Sequence, residues 1–408
     1  MWIVLKTFSL PISTNHLFNP SVRAFGTASG PRGPTHSQVS ILKHMTCLSP
    51  NHPIPCRHQW FMNAQCDIEV QKSHFSAPFG RSLLLEMYCM PVHAIPKPNS
   101  SDLWLITDHL VGPFSLNSMI PRNTYAMYPL DNLHLLGKVL LSPYTQDLDN
   151  PILYKSDVAE AYCLMPMHPV WQVKQAICTD GKLHIDRCGV FGGWKSGNYS
   201  VTFHSLVCWI AHKIKGILLL QVYSDNFYGL NKADDFTFYP PYKKHLLTNQ
   251  YHLLCLWDKL GIPHKEKKQV SGAHLVIIGI EVDSNHLTFT LPAASRNLLL
   301  SEIVKFCQQY AKKVGVKATG SSSFPLKKWQ HLAGWLNWSF NVYAYLRPCL
   351  NNIYHKIGGK EQGEELIYIN KEIQADLVWA ADHISKSDGV HLIVMELLGQ
   401  PLNYLLKG

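Results

Sequence analysis

Between residues 150 and 292 the chain alternates apolar runs too short for helices with two longer amphipathic stretches. That alternation constrains the fold more than any other feature. Two of the short runs, "ILYKSD" (152–157) and "LLLQVYSD" (218–225), each end in an aspartate, Asp157 and Asp225. Four to eight apolar residues bounded by turn signals read as buried strands. The stretches "VTFHSLVCWIAHKIKG" and "HLLTNQYHLLCLWDKL" carry helical spacing, and the second stops at Gly261, a favourable helix-terminating glycine. Strands interleaved with helices place this region in a mixed α/β (α+β) class.

The flanks differ from this middle. Residues 1–84 are rich in Pro, Ser, Asn and His without sustained periodicity, and read as an irregular leader. The unit 85–292 begins with "MYCMPVHAIPKPNSSDLWLITD", which predicts a hairpin around Pro98–Ser101 with Lys97 near its tip. Near its end, "HLVIIGIEVD" and "HLTFTLP" predict a further hairpin. Residues 293–360 turn helical. A helix capped by Ser295 would place Leu299, Ile303, Phe306 and Tyr310 on one face. Trp329, Trp335 and Trp338 follow at near-helical spacing, which predicts core packing. Residues 361–408 hold a polar hinge and one more helix, through Ile384.

With 408 residues, 46% apolar and 16% charged, the chain is long and apolar enough for two or three folded domains. The balance of 37 Lys+Arg against 28 Asp+Glu gives +9, which mildly favours a polyanionic partner. Eleven cysteines stand singly with no Cys-x-x-Cys pair, a pattern that fits reduced thiols in a cell interior, cytoplasmic or nuclear. His212, Lys213 and Lys215 interrupt the best membrane-span candidate, and "MWIVLKTFSLPI" lacks the basic lead of a secretory signal.

If the strands ending in Asp157 and Asp225 are neighbours, their carboxylates meet at one edge of a sheet. Close carboxylates repel, and a divalent cation relieves that repulsion. Mg²⁺ (or Mn²⁺) on such acids suits in-line phosphoryl transfer. The alternative, that each acid caps a turn, stays open on spacing alone.

Ordered motifs carry a resemblance. From about Met90 to Gly359 the chain resembles a reverse transcriptase of retroelement origin, closest to fungal retrotransposon-type polymerases and similar also to retroviral ones. The fold this implies is a right-hand polymerase with fingers, palm and helical thumb and connection. "SDVAEAY" resembles the first palm motif, with Asp157 on its metal-binding acid and Tyr162 on the aromatic gate against a ribose 2′-OH. "FGGWKSGN" resembles the glycine-rich second motif, placing Gly192, Gly193 and Lys195 against nucleotide and template. "LGIPHKEKKQV" resembles the fourth motif, with Lys268 near the triphosphate, and Lys267 as the other choice. "LVIIGIEVDSNHLTF" resembles the primer-gripping hairpin, and "LAGWLNW" with "RP" the thumb and connection. The last helix resembles a linker toward a ribonuclease H domain whose acids are not in this sequence. The partners implied are a primer–template nucleic acid and deoxynucleoside triphosphates.

Two departures qualify this. The third motif of the family is Tyr-x-Asp-Asp, and this chain reads Tyr223-Ser224-Asp225-Asn226. Either the second acid has been deleted beside Asn226, or Ser224 occupies the place of the first. Trp104 replaces the triphosphate-holding arginine of the fingers, leaving Lys97 as the nearest cation. The expectation is therefore a polymerase weakened by loss of one carboxylate, with a catalytically silent nucleic-acid-binding remnant as the alternative. In either case Asp157 and Asp225 are expected on adjacent strands, roughly 4–6 Å apart, a distance one cation can bridge.

Overall fold

The computed structural model describes residues 56–97, 101–120, 130–148, 150–193, 195–307 and 323–392. In chain order, helix α1 (Cys56–Gln71) precedes strands β1 (Cys89–Met90), β2 (Val92–Pro96) and β3 (Leu103–Thr107). Helix α2 (Leu133–Leu140) leads to β4 (Ile152–Val158), β5 (Ala176–Thr179) and β6 (Lys182–Ile185). The long helix α3 (Ser196–Lys215) is followed by β7 (Leu220–Tyr223), β8 (Asn226–Asn231), β9 (Phe236–Tyr239) and β10 (Lys244–Leu247). After α4 (Thr248–Leu260) come β11 (His264–Gly272), β12 (His274–Ile277), β13 (Ile280–Asp283) and β14 (Thr288–Thr290). The remainder is α5 (Ala293–Phe306), β15 (Ser323–Pro325), α6 (Leu326–Ser339), α7 (Cys349–Ile357), β16 (Leu366–Tyr368), α8 (Lys371–Lys386) and β17 (Val390–His391).

The central sheet has the order β11-β4-β8-β7, every pair antiparallel. Its two faces enter different cores. Tyr154 and Phe227 pack with Val207, Cys208 and Ala211 of α3 and with Leu253, Leu254 and Trp257 of α4. Their neighbours Leu153 and Tyr228 join a larger core built from β12–β14 and helices α5 to α8. Side chains alternate between faces along a strand, so a sheet covered on both faces has no polar positions to alternate. This is why these strands read as continuous apolar runs. Each fully buried large side chain here contributes roughly 1.5–3 kcal/mol.

A third, smaller core gathers Cys66 of α1, Met90 of β1 and Ile177 of β5, with Phe75, Tyr88, Leu116 and Val190. It fastens a mixed sheet, β1-β5-β6, in which β1 runs parallel to β5. The hairpin β2–β3 stands beside it.

Several expectations need correction. Residues 56–71 form a helix rather than part of an irregular leader. Only Met62 and Cys66 of that helix are buried, and its remaining apolar residues are spread around the axis, so periodicity did not reveal it. "HLVIIGIEVD" is itself a hairpin, β12–β13, turning at Ile278 (φ 51°) and Gly279 (φ 78°); with β14 it makes a meander. Helix α5 starts at Ala293 after Pro292, without a side-chain cap, so Ser295 lies inside its first turn. Leu299, Ile303 and Phe306 are buried on one face, while Tyr310 lies outside the described residues. Helix α4 begins at Thr248, because the preceding residues are drawn into β10 by pairing with β9. Gly261 ends it in the left-handed region, as the sequence indicated.

Candidate functional site

The two acids lie at one end of the central sheet. Asp157 is the penultimate residue of β4 and stands directly opposite Asn226, the first residue of β8. Asn226 in turn pairs with Tyr223 of β7, so Ser224 and Asp225 form the two-residue turn between β7 and β8. The backbone of that turn is tied to β4, because Val158 N donates to Asp225 O at 3.1 Å. Ser224 adopts φ 57°, in the left-handed region that a tight hairpin of this length requires at its first central residue. A serine held there costs of order 1 kcal/mol or more, strain of a kind that clusters at functional sites.

The register places the two candidate positions differently. Residues directly opposite in an antiparallel pair project from the same face. Position 226 therefore shares a face with Asp157, whereas Ser224 belongs to the turn. An acid at 226 would stand beside Asp157; its amide instead donates Nδ2 to Asp225 Oδ1 at 3.2 Å.

Burial raises the Asp157 pKa above the ordinary carboxylate value, Lys268 opposes the rise, and the Asp225 charge adds to it. Lys268 Nζ stands 3.5 Å from Asp157 Oδ2 and donates to Val158 O at 3.2 Å. Asp157 Oδ1, by contrast, is buried with no hydrogen-bond partner. An orphaned carboxylate oxygen beside a second carboxylate has the chemistry of a hard-cation ligand. The residues present thus fit a Mg²⁺ or Mn²⁺ ion held by Asp157 and Asp225.

Tyr162 belongs to the same neighbourhood. Burial raises its phenol pKa and the Asp225 charge raises it further. Its ring packs edge-on to Phe191 with centroids 5.8 Å apart. Gly192, next to Phe191, has φ 91° and accepts a hydrogen bond from Asn117 Nδ2 at 2.9 Å. A Cβ on Gly193 would collide with Ser196 Oγ and lie 2.9 Å from Val190 Cγ2, so the start of α3 can seat only glycine there. Lys195 occupies the N-cap of α3, largely buried, and desolvation lowers its pKa.

Lys97 is held elsewhere: its Nζ is 3.6 Å from Asp102 Oδ2 across the base of its own hairpin tip. Trp104, exposed, pairs with Ile95 in that hairpin. The structure thus joins Asp157, Asp225, Tyr162 and Lys268 by charge or contact, and leaves Lys97 in an ion pair of its own.

Sequence reasoning missed some supports. Asp131, just ahead of α2, accepts Val222 N at 2.8 Å and so ties β7 from the side away from β8. His204 of α3 is buried beneath the Ser224 turn, its ring edge-on to Phe227, and burial lowers its pKa to about 4. A neutral imidazole there adds no positive charge beneath the acids. The only signal for it was a histidine at helical spacing from Val207, Cys208 and Ala211. Farther along, α6 carries an open groove of about 590 Å³ lined by Gln330, His331, Gly334, Trp335 and Trp338. Trp329 is fully buried, as its spacing indicated, but Trp335 and Trp338 are only partly so.

No protein-family model and no curated protein sequence matches the chain. Solved structures do. A foamy viral protease–reverse transcriptase in complex with double-stranded DNA superposes with a TM-score of 0.55 at 14% identity, covering 84% of this chain and 50% of that one. The chain has the reverse-transcriptase fold. The foamy viral enzyme in complex with an RNA/DNA hybrid gives a TM-score of 0.53 at 15% identity over 83% of this chain and 38% of that one. A further double-stranded DNA complex gives 0.51 at 15% identity, covering 86% and 62%. The chain thus spans between about two fifths and three fifths of the length of these neighbours. The right-hand polymerase architecture expected from the motifs is the architecture found. Among the described residues no helix is long and apolar enough to cross a membrane.

Proposed function

We propose that the chain is a retroelement reverse-transcriptase-like protein that performs template-directed nucleotidyl transfer at Asp157 and Asp225, slowed by Asn226 in place of a third carboxylate. The observation that carries this reading is the buried, unpartnered Asp157 Oδ1 at the sheet end shared with Asp225. Asp157, Asp225 and the amide oxygen of Asn226 would hold Mg²⁺ or Mn²⁺, which when bound supplies Lewis-acid activation and neutralises phosphate charge. Lys268 offsets the Asp157 charge before a nucleotide arrives and offers its ammonium to the triphosphate. Tyr162, backed by Phe191, forms a wall where a sugar edge would pass. A duplex partner is supported by the fold's occurrence in complexes with DNA and with RNA/DNA hybrid. The open groove on α6, with amide, imidazole and indole groups along one face, offers hydrogen bonds and stacking to such a partner.

The experiment is Mg²⁺- or Mn²⁺-dependent primer extension on an RNA template, comparing the parent chain with Asn226→Asp, Ser224→Asp and Asp157→Ala. The parent should extend slowly, Asn226→Asp faster, and Asp157→Ala not at all. Equal extension by the parent and Asp157→Ala would end the catalytic reading. A second reading, binding without catalysis, is favoured by the amide at position 226, in register with Asp157. It predicts salt-sensitive duplex binding that Asp157→Ala leaves intact and no extension by any variant.

A further inference from the structure

Away from the acid pair, β12, β13 and the turn into β14 bring two histidines onto one carboxylate. His274 of β12 is the cross-strand partner of Asp283, the last residue of β13. Its Nε2 lies 2.6 Å from Asp283 Oδ2, and His286 Nδ1 lies 2.6 Å from the same oxygen. The three ligand atoms lie within 4.8 Å of one another.

The carboxylate is aimed by its other oxygen. Asp283 Oδ1 accepts from Asn285 N at 2.8 Å and from His286 N at 3.0 Å, which leaves Oδ2 to face the imidazoles. Asp283 is nearly buried, while both histidine rings reach solvent. One fixed carboxylate thus sits beneath two movable imidazoles with open access from water.

We infer that His274, Asp283 and His286 form a binding site for a divalent transition-metal ion of the zinc class. Two imidazoles and a carboxylate suit Zn²⁺, Ni²⁺ or Cu²⁺ and discriminate against Mg²⁺ and Ca²⁺, which prefer oxygen ligands. Zinc bonds of about 2.0–2.1 Å at tetrahedral angles set ligand atoms about 3.3–3.4 Å apart. The N···O separations of 2.6 Å therefore need to open by less than about 1 Å, within reach of the two exposed rings. On binding, the proton on each facing nitrogen passes through solvent to the other nitrogen of the same ring, and the freed lone pair takes the metal. Water completes the fourth position. The ion would pin β12, β13 and the loop into β14 together from the solvent side.

The test uses the full chain freed of metal by chelation. Zn²⁺ is titrated against a chromophoric chelator, and Co²⁺ is followed by its visible absorption. One equivalent of Zn²⁺ is expected, with a raised melting temperature and Co²⁺ bands of a four-coordinate N/O site. His274→Ala and His286→Ala should each weaken zinc at least about 100-fold, the upper end of what losing even a supporting group costs. Both side chains are exposed, so circular dichroism should show the fold unchanged. Cys163→Ser, which removes the other potential ligand cluster among the described residues (Glu69, His74, Cys163), should leave the stoichiometry intact. The inference is overturned if the parent binds no zinc, or if the double variant His274→Ala/His286→Ala binds it as the parent does.

Discussion

Restoring an acid at position 226 tests the geometry at the sheet end before any activity is measured. Asn226→Asp replaces an amide that donates to Asp225 with a carboxylate that repels it, directly opposite Asp157. Opposed side chains stand with Cβ atoms about 4.5–5.5 Å apart. At roughly 5 Å and an effective dielectric of about 20, each new pair of charges costs about 3 kcal/mol. Partial exposure and salt reduce this, so a net loss of about 2–4 kcal/mol is expected at low ionic strength without divalent ions. Asp157 already carries a raised pKa from burial and from Asp225, and the added charge should raise it further. A divalent cation reverses the sign of the new interaction. Thermal melts of parent and variant, with chelator and with millimolar Mg²⁺, should therefore diverge: the variant melts lower without Mg²⁺ and recovers with it, while the parent responds less. If a ligand carboxylate is worth about 3–5 kcal/mol in the transition state, primer extension rises by about 10²–10⁴-fold. A variant as stable as the parent without Mg²⁺, and no more responsive to it, would show that residues 157, 225 and 226 do not converge.

Further outcomes follow from other contacts. Removing the Lys268 ammonium (Lys268→Met) leaves burial and Asp225 opposed at Asp157 by Lys155 alone. The pH at which half the Mg²⁺ binds, read by calorimetry, should move upward. Asp186, buried with its Oδ1 accepting Cys188 N at 3.0 Å, has its pKa raised by burial to about 7. Its folded-state pKa lies above its unfolded value, so stability falls as pH rises from about 4 to 7. That fall amounts to as much as roughly 4 kcal/mol at 1.36 kcal/mol per pKa unit. Asp186→Asn should melt above the parent at pH 8 and alongside it near pH 4. A Cβ on Gly279 would meet Trp338 Cζ2 at 2.9 Å on a backbone with φ 78°. Gly279→Ala should therefore cost about 1–3 kcal/mol in urea unfolding. Duplex affinity should fall with log[salt] at about −0.9 per phosphate contacted, measured by fluorescence anisotropy.

What could be read in the sequence follows the physics that writes it there. Strands β4, β7 and β8 are covered on both faces, so they left unbroken apolar runs, and their acids stood out against them. Glycine marked the end of α4 because only a residue free of Cβ strain closes a helix in the left-handed region cheaply. Helix α1 left no such trace, since only two of its residues are buried. Cross-chain facts were silent as well. The parallel pairing of β1 with β5, the Asp131 carboxylate on Val222 N and the convergence of His274 and His286 all join segments that no local pattern relates. At the candidate site the motif order pointed to Asp157 and Asp225. Which neighbour faces Asp157 emerged only from the register, and the ion pair that retains Lys97 in its own hairpin was not readable at all.

The clasp between α6 and the meander has a mechanical consequence. Trp338 Nε1 donates to Ile278 O at 3.2 Å, and its ring covers the adjoining Gly279. The same tryptophan forms one wall of the open groove on α6. A molecule pressing into that groove therefore pushes on the β12–β13 turn through a single rigid indole. Because the meander shares its core with Leu153 and Tyr228 of the central sheet, the load continues to the strands that carry Asp157 and Asp225. The groove and the acid pair thus rest on one foundation. The separation between an occupant of the groove and the sheet end that carries Asp157 and Asp225 is set like the jaw width of a fixed gauge, rather than that of a hinged one.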